Sequence, residues 1–253
     1  MAKPDLGDKS RVRIGRNVTF EVDELEIGDG VFIGDNVVIE GPKVSIGDYT
    51  LITAGTTIGG RAPTSIGMCC WFGPDCILNA TEKLTIGNGV GAGARSQLWT
   101  HARFGDTLQG CRFDIDKPMV VEDDVWFVGQ CLVSPIQAGA RSMAMLGSVI
   151  VKDMVADRTY GGAPASDITE RVGPQYEEVD EETKFTRLSA ILAEFEEKKG
   201  RTTSIRIVRR WPEAMDSEIS YFNVAERKYT KRLSEDEIDF MLHLLVPIKF
   251  YPV

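Results

Sequence analysis

The stretch IGDGVFIGDNVVIEGPKVSIGDYTLITAGTTIGG, residues 27–60, places an isoleucine at a regular spacing. The step is six residues within each group of three isoleucines and seven residues between the two groups. Glycine follows four of these six isoleucines, and glycine permits the tight backbone geometry that a corner needs. A hexapeptide repeat of this kind is typical of a parallel β-helix, in which six residues form one side of a triangular coil and the repeated apolar residue points inward.

The same ladder continues on both sides of this stretch, with steps of six residues within a group and seven or eight between groups. Stacked coils lie about 4.8 Å apart, so we expect residues 46, 66 and 86 to form one inward column. The predicted inward residues are Ile14, Phe20, Ile27, Ile33, Ile39, Ile46, Ile52, Ile58, Ile66, Phe72, Leu78, Ile86, Ala92, Leu98, Val121, Phe127 and Val133.

One long interruption breaks the ladder between Leu98 and Val121, where twenty-three residues replace the usual six to eight. His101, one of only two histidines in the chain, opens this interruption three residues after the last inward position. We therefore expect His101 to lie near a corner of the prism and to face outward, beside a loop insertion over residues 102–118. Because the prism itself is rigid, the insertion is the first candidate for a functional site.

Composition limits the classes of protein to consider. With 253 residues, 43% of them hydrophobic and 26% charged, the chain is globular and long enough for one large domain or two smaller ones. Its net charge of -9 argues against nucleic acid as a partner, because phosphate binding needs a basic face. The five cysteines are odd in number and lack CxxC spacing, so we expect reduced, mostly buried thiols. No apolar run reaches the length of a membrane span, and the start MAKPDLGDKS has no hydrophobic signal region, which predicts a cytoplasmic protein without a membrane partner.

Several motifs together resemble one known family. The stretches IGDGVFIGDN, VEDDVWFVG, GSVIVKD and YGGAPASDI, with the loop beginning WTH, look like those of the hexapeptide-type left-handed β-helix acyltransferases. The resemblance covers residues 11 to about 172 and implies an all-β left-handed parallel β-helix, a homotrimer with sites between subunits, and acetyl-CoA or another acyl-CoA as donor. Among the branches of the family, the chain looks closest to enzymes that acylate the amino group of a nucleotide-linked amino sugar.

The sequence departs from the family where the family carries Pro-Gly after its VWIG step. Here Pro135 is followed by Ile136, and the six-residue rhythm weakens over VSPIQAGARSMAMLGS. We therefore expect the last coils to be irregular.

His101 is the candidate for catalysis. Acyl transfer from a thioester requires that the nucleophile lose a proton and that charge on the carbonyl oxygen be stabilised. A neutral imidazole accepts protons near physiological pH, and we expect Ser96 or Asp106, each five positions from His101, to orient the nucleophile or tune the ring. For an amine acceptor, His101 can instead contribute by positioning alone. The alternative without chemistry is a corner histidine that caps the end of a strand.

Residues around and after the insertion are candidates for binding. Trp99 and Trp126 flank it, are expected to lie close together one coil apart, and can stack on a sugar or nucleobase or simply cover the core. With Gln109 they complete the predicted acceptor site. The resemblance places the acyl-CoA along the later coils, and the residues predicted to bind it are Gly129, Gly147, Lys152, Gly162 and Pro164. The alternative for this set is a surface lysine and ordinary turns.

The change in sequence character predicts a β-helix domain over residues 1–172 and a small α+β region over residues 173–253. The second region is rich in charge, with apolar residues at helical spacing, two strand-like stretches and a final helix over residues 234–245. His243 lies in that final helix, so we expect a structural role for it. With one other histidine per chain, a three-histidine metal site is not expected, and we predict no metal.

Three functions from different classes fit the sequence. The first is a CoA-dependent N-acyltransferase acting on a nucleotide-linked amino sugar. The second is an O-acetyltransferase acting on a sugar, glycan or antibiotic hydroxyl, which demands more of His101 as a base. The third is a β-helix that serves as a non-catalytic scaffold, against which the intact WTH loop argues.

Overall fold

The computed structural model describes residues 11–253, and the start MAKPDLGDKS lies outside the described residues, as does the expectation about a signal region. The chain divides into two compact units, one that ends at Tyr176 and one that spans Glu177–Val253. Within residues 11–253, no helix is long and apolar enough to cross a membrane.

The first unit is a coil of short strands with one short helix, α1 (Thr169–Val172), near its end. In chain order its strands are β1 (Arg13–Ile14), β2 (Thr19–Ile27), β3 (Phe32–Ile33), β4 (Val38–Ile46), β5 (Leu51–Ile52), β6 (Thr57–Gly59), β7 (Thr64–Ile66), β8 (Trp71–Phe72), β9 (Ile77–Asn79), β10 (Leu84–Ile86), β11 (Gly91–Ala92), β12 (Gln97–Leu98), β13 (His101–Arg103), β14 (Asp114–Asp116), β15 (Met119–Val121), β16 (Trp126–Phe127), β17 (Leu132–Val133), β18 (Gln137–Ala138), β19 (Met143–Ala144), β20 (Val149–Ile150), β21 (Thr159–Gly162) and β22 (Ala165–Asp167).

The strands stack in parallel and form three faces of a triangular prism. Face A holds β1, β3, β5, β8, β11, β16, β19 and β21 in that order. The long strand β4 crosses a corner, because residues 38–40 pair with β6 whereas residues 44–46 pair with β7. Face B therefore runs from β4 through β6, β9, β12, β17 and β20, and face C runs from β4 through β7, β10, β15 and β18. The chain passes from face A to B to C in each turn, which defines the corners A/B, B/C and C/A.

The predicted inward ladder and the predicted parallel β-helix are confirmed. Ladder residues between positions 27 and 133 are at most 3% exposed, and the first two members of the ladder are partly buried. Residues 46, 66 and 86 are direct partners in neighbouring strands of face C, as expected. Full burial of one aliphatic or aromatic side chain contributes about 1.5–3 kcal/mol, so these columns supply most of the stability of the coil.

At the corners, carboxylates join one coil to the next by hydrogen bonds. Asp48 Oδ1 accepts a hydrogen bond from the backbone N–H of Asp29 at 2.8 Å, and Asp123 Oδ1 accepts one from Asn88 at 2.6 Å. Other corners need glycine because the coils approach closely. An added Cβ at Gly93 would lie 1.9 Å from a carbonyl oxygen of the next coil.

The expectation that the last coils are irregular is wrong. Ala138, Ala144 and Ile150 take inward positions at steps of six residues and are at most 1% exposed. The strands that contain them pair with the coil before, so the prism continues. Alanine is small and gives only a weak apolar signal, which is why the pattern fades in the sequence. Beyond this turn, face C keeps only an isolated bridge between Ala138 and Met154.

The second unit is an α+β fold, as predicted for the C-terminal region. Its elements are α2 (Glu181–Lys199), β23 (Ile205–Val208), β24 (Ser220–Asn223), β25 (Lys228–Tyr229), α3 (Glu235–Leu244) and β26 (Tyr251–Pro252). The four strands form one sheet in the order β23, β24, β25, β26. Both helices begin at a side-chain cap, since Asp180 accepts from the backbone N–H of Thr183 and Ser234 accepts from that of Glu237.

Aromatic rings form the core of this second unit. Phe222 is fully buried, and its ring centroid lies 5.2–5.3 Å from those of Tyr229, Phe240 and Phe250. Such ring pairs add about 0.5–1.5 kcal/mol each beyond the area that they bury.

Candidate functional site

The insertion after Leu98 folds as a hairpin that leaves the prism. Strands β13 and β14 pair antiparallel, and His101 lies directly opposite Asp116. Between the strands, Asp106 accepts hydrogen bonds from two backbone N–H groups and so begins a short 3-10 helix, Thr107–Gln109. The apolar side chains of the tip are strongly exposed, at 101% for Phe104, 91% for Leu108 and 71% for Phe113.

His101 occupies the B/C corner at the base of this hairpin. Leu98 is the last inward residue of β12 on face B, and the chain next enters face C at Met119. His101 is half-buried, because it is the first residue of the hairpin and still touches the preceding coil. A side chain in this position faces out of the prism, as expected from its distance to the last inward residue.

Two residues of the preceding coil hold the imidazole. Nδ1 of His101 lies 3.0 Å from Oδ1 of Asn79 and 2.9 Å from Oγ1 of Thr81. The same Asn79 atom accepts from the backbone N–H of Thr81 at 3.2 Å. Because a backbone N–H can only donate, the Asn79 atom at this point is the carbonyl oxygen, which can accept a hydrogen bond from a protonated Nδ1. This oxygen favours the tautomer with the proton on Nδ1, in which Nε2 carries the lone pair.

A buried threonine fixes Asn79 in turn. Thr100 is fully buried, and its hydroxyl accepts from the backbone N–H of Glu82 at 3.0 Å. Its own proton is directed to Asn79, whose side-chain and main-chain oxygens lie 3.1 and 3.2 Å away. The amide of Asn79 therefore cannot rotate without breaking several hydrogen bonds, and the imidazole faces a rigid acceptor.

Charged groups surround the base of the hairpin. Oδ2 of Asp116 accepts from Arg61 at 2.9 Å and forms an ion pair with Arg103 at 3.0 Å. Arg103 also donates to Asp114 at 2.5 Å, and this hydrogen bond raises the pKa of Arg103 above its ordinary value. Two guanidinium groups therefore lie beside the carboxylate that stands opposite the histidine.

The prediction that Ser96 orients the nucleophile does not fit its position. Ser96 is fully buried, and its hydroxyl accepts from the backbone N–H of Cys131 at 3.3 Å. A hydroxyl enclosed in the coil cannot reach an acceptor outside it. Asp106 is also engaged elsewhere, since its carboxylate accepts from Leu108 and Gln109 at the start of the 3-10 helix.

Of the predicted acceptor-binding residues, Trp99 is the one beside the histidine. Its ring meets that of His101 edge to face at 5.6 Å, and its Nε1 donates to Gln97 at 3.1 Å. Trp126 is 41% exposed but belongs to face A, which lies opposite the B/C corner of the same prism. The expected closeness of Trp99 and Trp126 is therefore wrong within one chain. Gln109 is exposed in the 3-10 helix of the hairpin.

The predicted donor-binding residues fall at two corners. Gly147 donates its backbone N–H to the carbonyl of Gly129 at 2.9 Å, so these two stack at the A/B corner of successive coils. Gly162 ends β21 on face A at the same corner, and Pro164 follows in the exposed turn to β22. Lys152 is exposed at the B/C corner, just after the inward Ile150.

Asn79 and Thr81 were not identified from the sequence, although the ladder contains a signal for them. Leu78 and Leu98 are partners in adjacent strands, so a residue three positions after each shares the corner. Thr81 therefore lies one coil below His101, and Asn79 lies one coil below Trp99. Counting the ladder backwards from the histidine would have found both.

The other histidine belongs to the second unit and packs on an aromatic ring. His243 lies in α3, with its ring 5.2 Å from that of Phe195. Among the described residues, no group of three or more His, Cys, Asp or Glu side chains is arranged to hold a metal ion.

Comparison with known proteins gives structural likenesses at low sequence identity. No family model and no curated protein matches the sequence. The chain is similar to the polySia-specific acetyltransferase NeuO, with 17% identity over 73% of this chain and 97% of that chain and a TM-score of 0.35. It is similar to a hexapeptide-repeat-containing acetyltransferase, VCA0836, complexed with acetyl-CoA, from Vibrio cholerae O1 biovar eltor, with 25% identity over 62% and 69% of the two chains and a TM-score of 0.32.

A third likeness is to AntD, an N-acyltransferase from Bacillus cereus solved with dTDP and 3-hydroxybutyryl-CoA. Here the identity is 14% over 74% of this chain and 91% of that chain, with a TM-score of 0.40. The short parallel strands of the first unit fit the left-handed β-helix that the sequence resemblance implies.

Proposed function

We propose that the chain is an acyl-CoA-dependent acyltransferase in which His101 is the general base. The observation that supports this most directly is the acceptor that Asn79 presents to Nδ1 of the imidazole. The carbonyl oxygen of Asn79 favours a proton on Nδ1, and in that tautomer Nε2 can accept a proton from an acceptor at the B/C corner. A histidine that merely capped a strand end would not need its second nitrogen kept free.

The proposed reaction transfers an acyl group from sulfur to nitrogen or oxygen. The acceptor attacks the thioester carbonyl while Nε2 of His101 takes its proton, and the bond from the carbonyl carbon to sulfur breaks. The proton then passes to the departing thiolate, which leaves as the free thiol of CoA. The Nδ1–H bond to Asn79 stabilises the imidazolium that exists between the two proton transfers.

The acceptor that we propose is the amino group of a nucleotide-linked amino sugar, as the sequence resemblance implies. The indole of Trp99 supports a sugar at this position, because an aromatic face beside the base can stack on a pyranose ring. Gln109 and the hairpin would form the outer wall of such a site.

A hydroxyl acceptor is the second candidate, and the hydrogen bonds around Asn79 favour it. A neutral amine is already nucleophilic, whereas a hydroxyl must lose its proton as it attacks and therefore depends on a base. Three donors converge on Asn79 to keep the base in the correct form, which is more than positioning an amine requires.

We further propose that the site lies between subunits of a homotrimer. Gly129, Gly147 and Gly162 stand at the A/B corner, whereas His101 stands at the B/C corner of the same prism. An acyl-CoA bound along these glycines of one chain would meet the histidine of a neighbouring copy. The exposed apolar tip of the hairpin supports this arrangement, since such side chains favour burial against a second surface.

Thiol release from acetyl-CoA, measured against amino sugar nucleotides and against simple sugars, tests the proposal. We expect His101→Asn to lower kcat by about 10²–10⁴-fold, the usual contribution of a general base, and Asn79→Ala to lower it by less. His243→Asn is the matched control and should leave turnover unchanged.

The pH dependence separates the two acceptors. If His101 only positions an amine, the loss in His101→Asn shrinks at high pH, as more acceptor is neutral in solution. If it is a base for a hydroxyl, the loss persists. Full turnover by a folded His101→Asn protein at every pH would refute the role of His101. A molecular mass of a single chain, measured by light scattering, would refute the trimer.

A further inference from the structure

Arg61 lies two coils below the histidine at the same corner. Gly59 is the partner of Asn79 in adjacent strands, and Leu78 is the partner of Leu98. Two positions after Gly59 and Asn79 come Arg61 and Thr81, and three positions after Leu98 comes His101. Arg61, Thr81 and His101 therefore form one column along the B/C corner.

The guanidinium of Arg61 touches both groups that determine where the imidazole lies. Its Nε donates to the carbonyl oxygen of Thr81 at 3.2 Å, and the hydroxyl of Thr81 is 2.9 Å from Nδ1 of His101. Its Nη2 donates to Asp116 at 2.9 Å, and Asp116 is the residue opposite His101 in the hairpin. One side chain thus joins the coil that orients the ring to the hairpin that carries the ring.

Asp116 depends on this contact. Its side chain is only 16% exposed, and Oδ1 is buried without a hydrogen-bond partner among the described residues. Oδ2 carries both of its ion pairs, one from Arg61 on the coil and one from Arg103 on the strand of His101. Without Arg61, the carboxylate keeps only a partner that moves with the hairpin, so nothing in this pair would tie the hairpin to the coil.

The backbone of His101 belongs to the hairpin, but the acceptors of its Nδ1 proton belong to the coil. A small displacement of the hairpin therefore lengthens the hydrogen bonds that select the tautomer. We infer that Arg61 is a positioning residue for His101, which acts through Thr81 and Asp116 and does not touch the reacting atoms. The consequence for turnover rests on the proposed function, whereas the consequence for the imidazole does not.

Nitrogen-15 NMR of the imidazoles tests this directly, because the chain has only two histidines and His243→Asn assigns the signals. In the wild type we expect His101 to show separate nitrogen shifts for a protonated Nδ1 and an unprotonated Nε2. In Arg61→Gln the two shifts should move towards each other as the tautomers mix. Arg61→Lys keeps the charge but cannot reach both Thr81 and Asp116. Its His101 shifts should therefore lie between those of the wild type and those of Arg61→Gln.

The matched control is Arg16→Gln. Arg16 is another exposed arginine that pairs with an aspartate of the next coil, at 2.7 Å from Asp35, and it lies far from His101 in the sequence. Its removal should leave the His101 shifts unchanged. Asp116→Asn approaches the same contact from the hairpin side, and Arg61→Gln with Asp116→Asn should be no worse than either alone.

Turnover provides the second measurement. We expect Arg61→Gln to lower kcat on the order of 10-fold with an unchanged KM for acyl-CoA, below the roughly 10²-fold that a 1 Å misplacement can cost. Unchanged His101 shifts in Arg61→Gln overturn the inference, and so do altered shifts with wild-type kcat. If the wild type transfers no acyl group while Arg61→Gln still alters the shifts, the proposed function fails and the control of the imidazole by Arg61 stands.

Discussion

The coil and the unit spanning Glu177–Val253 reach stability by different routes. In the coil a residue finds its partners one turn before and one turn after itself, as Leu78 does with Ile58 and Leu98. In the second unit the contacts are individual, such as the two hydrogen bonds that Asp236 accepts from Arg201 across 35 positions of sequence. A repeated contact can be inferred from its neighbours, whereas an individual contact has to be observed.

Buried polar groups show the same difference. Inside the coil a buried hydroxyl can be satisfied by the adjacent turn, as when the backbone of Cys131 donates to the hydroxyl of Ser96. In the second unit Glu237 is fully buried, with its carboxylate accepting from the hydroxyl of Ser220 and from two backbone N–H groups before α3. A buried carboxylate needs such a set of donors, because its desolvation is costly.

A phenylalanine in each region gives the largest expected effect and the most direct test of this difference. Phe72 and Phe222 are both fully buried, but Phe72 lies in an aliphatic column between Ile52 and Ala92, whereas Phe222 has three aromatic neighbours. Replacement by alanine should cost about 3–5 kcal/mol at either site. Replacement by leucine should restore most of the loss at position 72 and much less at position 222, where ring pairs are lost.

Hydrogen exchange resolved by peptide measures the two regions separately in the full chain. Phe222→Ala should speed exchange in peptides of residues 205–252, and Phe72→Ala should speed exchange in peptides of the coil. Equal acceleration of both regions by either variant would show that they open together and would remove the distinction.

Acid should weaken the two regions unequally. The hydrogen bonds from Arg201 hold the pKa of Asp236 below its ordinary value, and the side chain of Asp236 is only 9% exposed. A carboxyl whose pKa is lowered by folding stabilises above its unfolded pKa of about 3.9, and this contribution is lost as the pH falls through the lower folded value. The free energy of unfolding of the second unit should therefore decrease once the pH is lowered below about 4.

Asp236→Asn should remove about 1–2 kcal/mol at pH 7 and flatten the acid dependence, since the arginine is half exposed and solvent weakens the pair. Asp35→Asn is the matched change in the coil. The backbone and side chain of Arg16 lower the pKa of Asp35 in the same direction, but this side chain is 35% exposed, so its effect should be smaller. Denaturant titrations at pH 3 and pH 7 compare the variants, and an equal effect of both would contradict the expected ranking.

The sequence predicted the structure best where a large apolar residue marks each step of the repeat. Every ladder residue from position 27 to position 133 is buried in the core as predicted, and the ladder also located the corner that carries His101. It failed at Ala138 and Ala144, because a small inward residue resembles a surface one in sequence. Trp126 was misplaced for another reason, since closeness in sequence to the insertion does not determine the face of the prism.

The site was predicted only at its centre. His101 stands out as a rare residue at a break in a repeat, but the partners expected for it, Ser96 and Asp106, were chosen by closeness in sequence, and Asn79 was not considered. In a coil of about twenty residues per turn, neighbours at a corner are twenty positions apart, as Thr81 and His101 are. Arg61 lies at twice that distance and carries no motif, so only the hydrogen bonds reveal its link to the histidine.

Cysteine chemistry gives the smallest effect but reports on one region alone, because all five cysteines lie in the coil and its hairpin. Four of them are buried, and burial raises the pKa of the Cys76 thiol to about 11, so it is neither exposed nor ionised near neutral pH. Cys111, in the hairpin, is the half-buried exception. A thiol reagent at pH 8 should therefore label one site rapidly in the native protein, and Cys111→Ser should remove that fast phase.

In Phe222→Ala the four slow thiols should remain slow, because the damage lies outside the coil, whereas Phe72→Ala should expose them. Fast labelling of the buried thiols in Phe222→Ala would show that the coil cannot hold its structure without an intact aromatic core in residues 177–253.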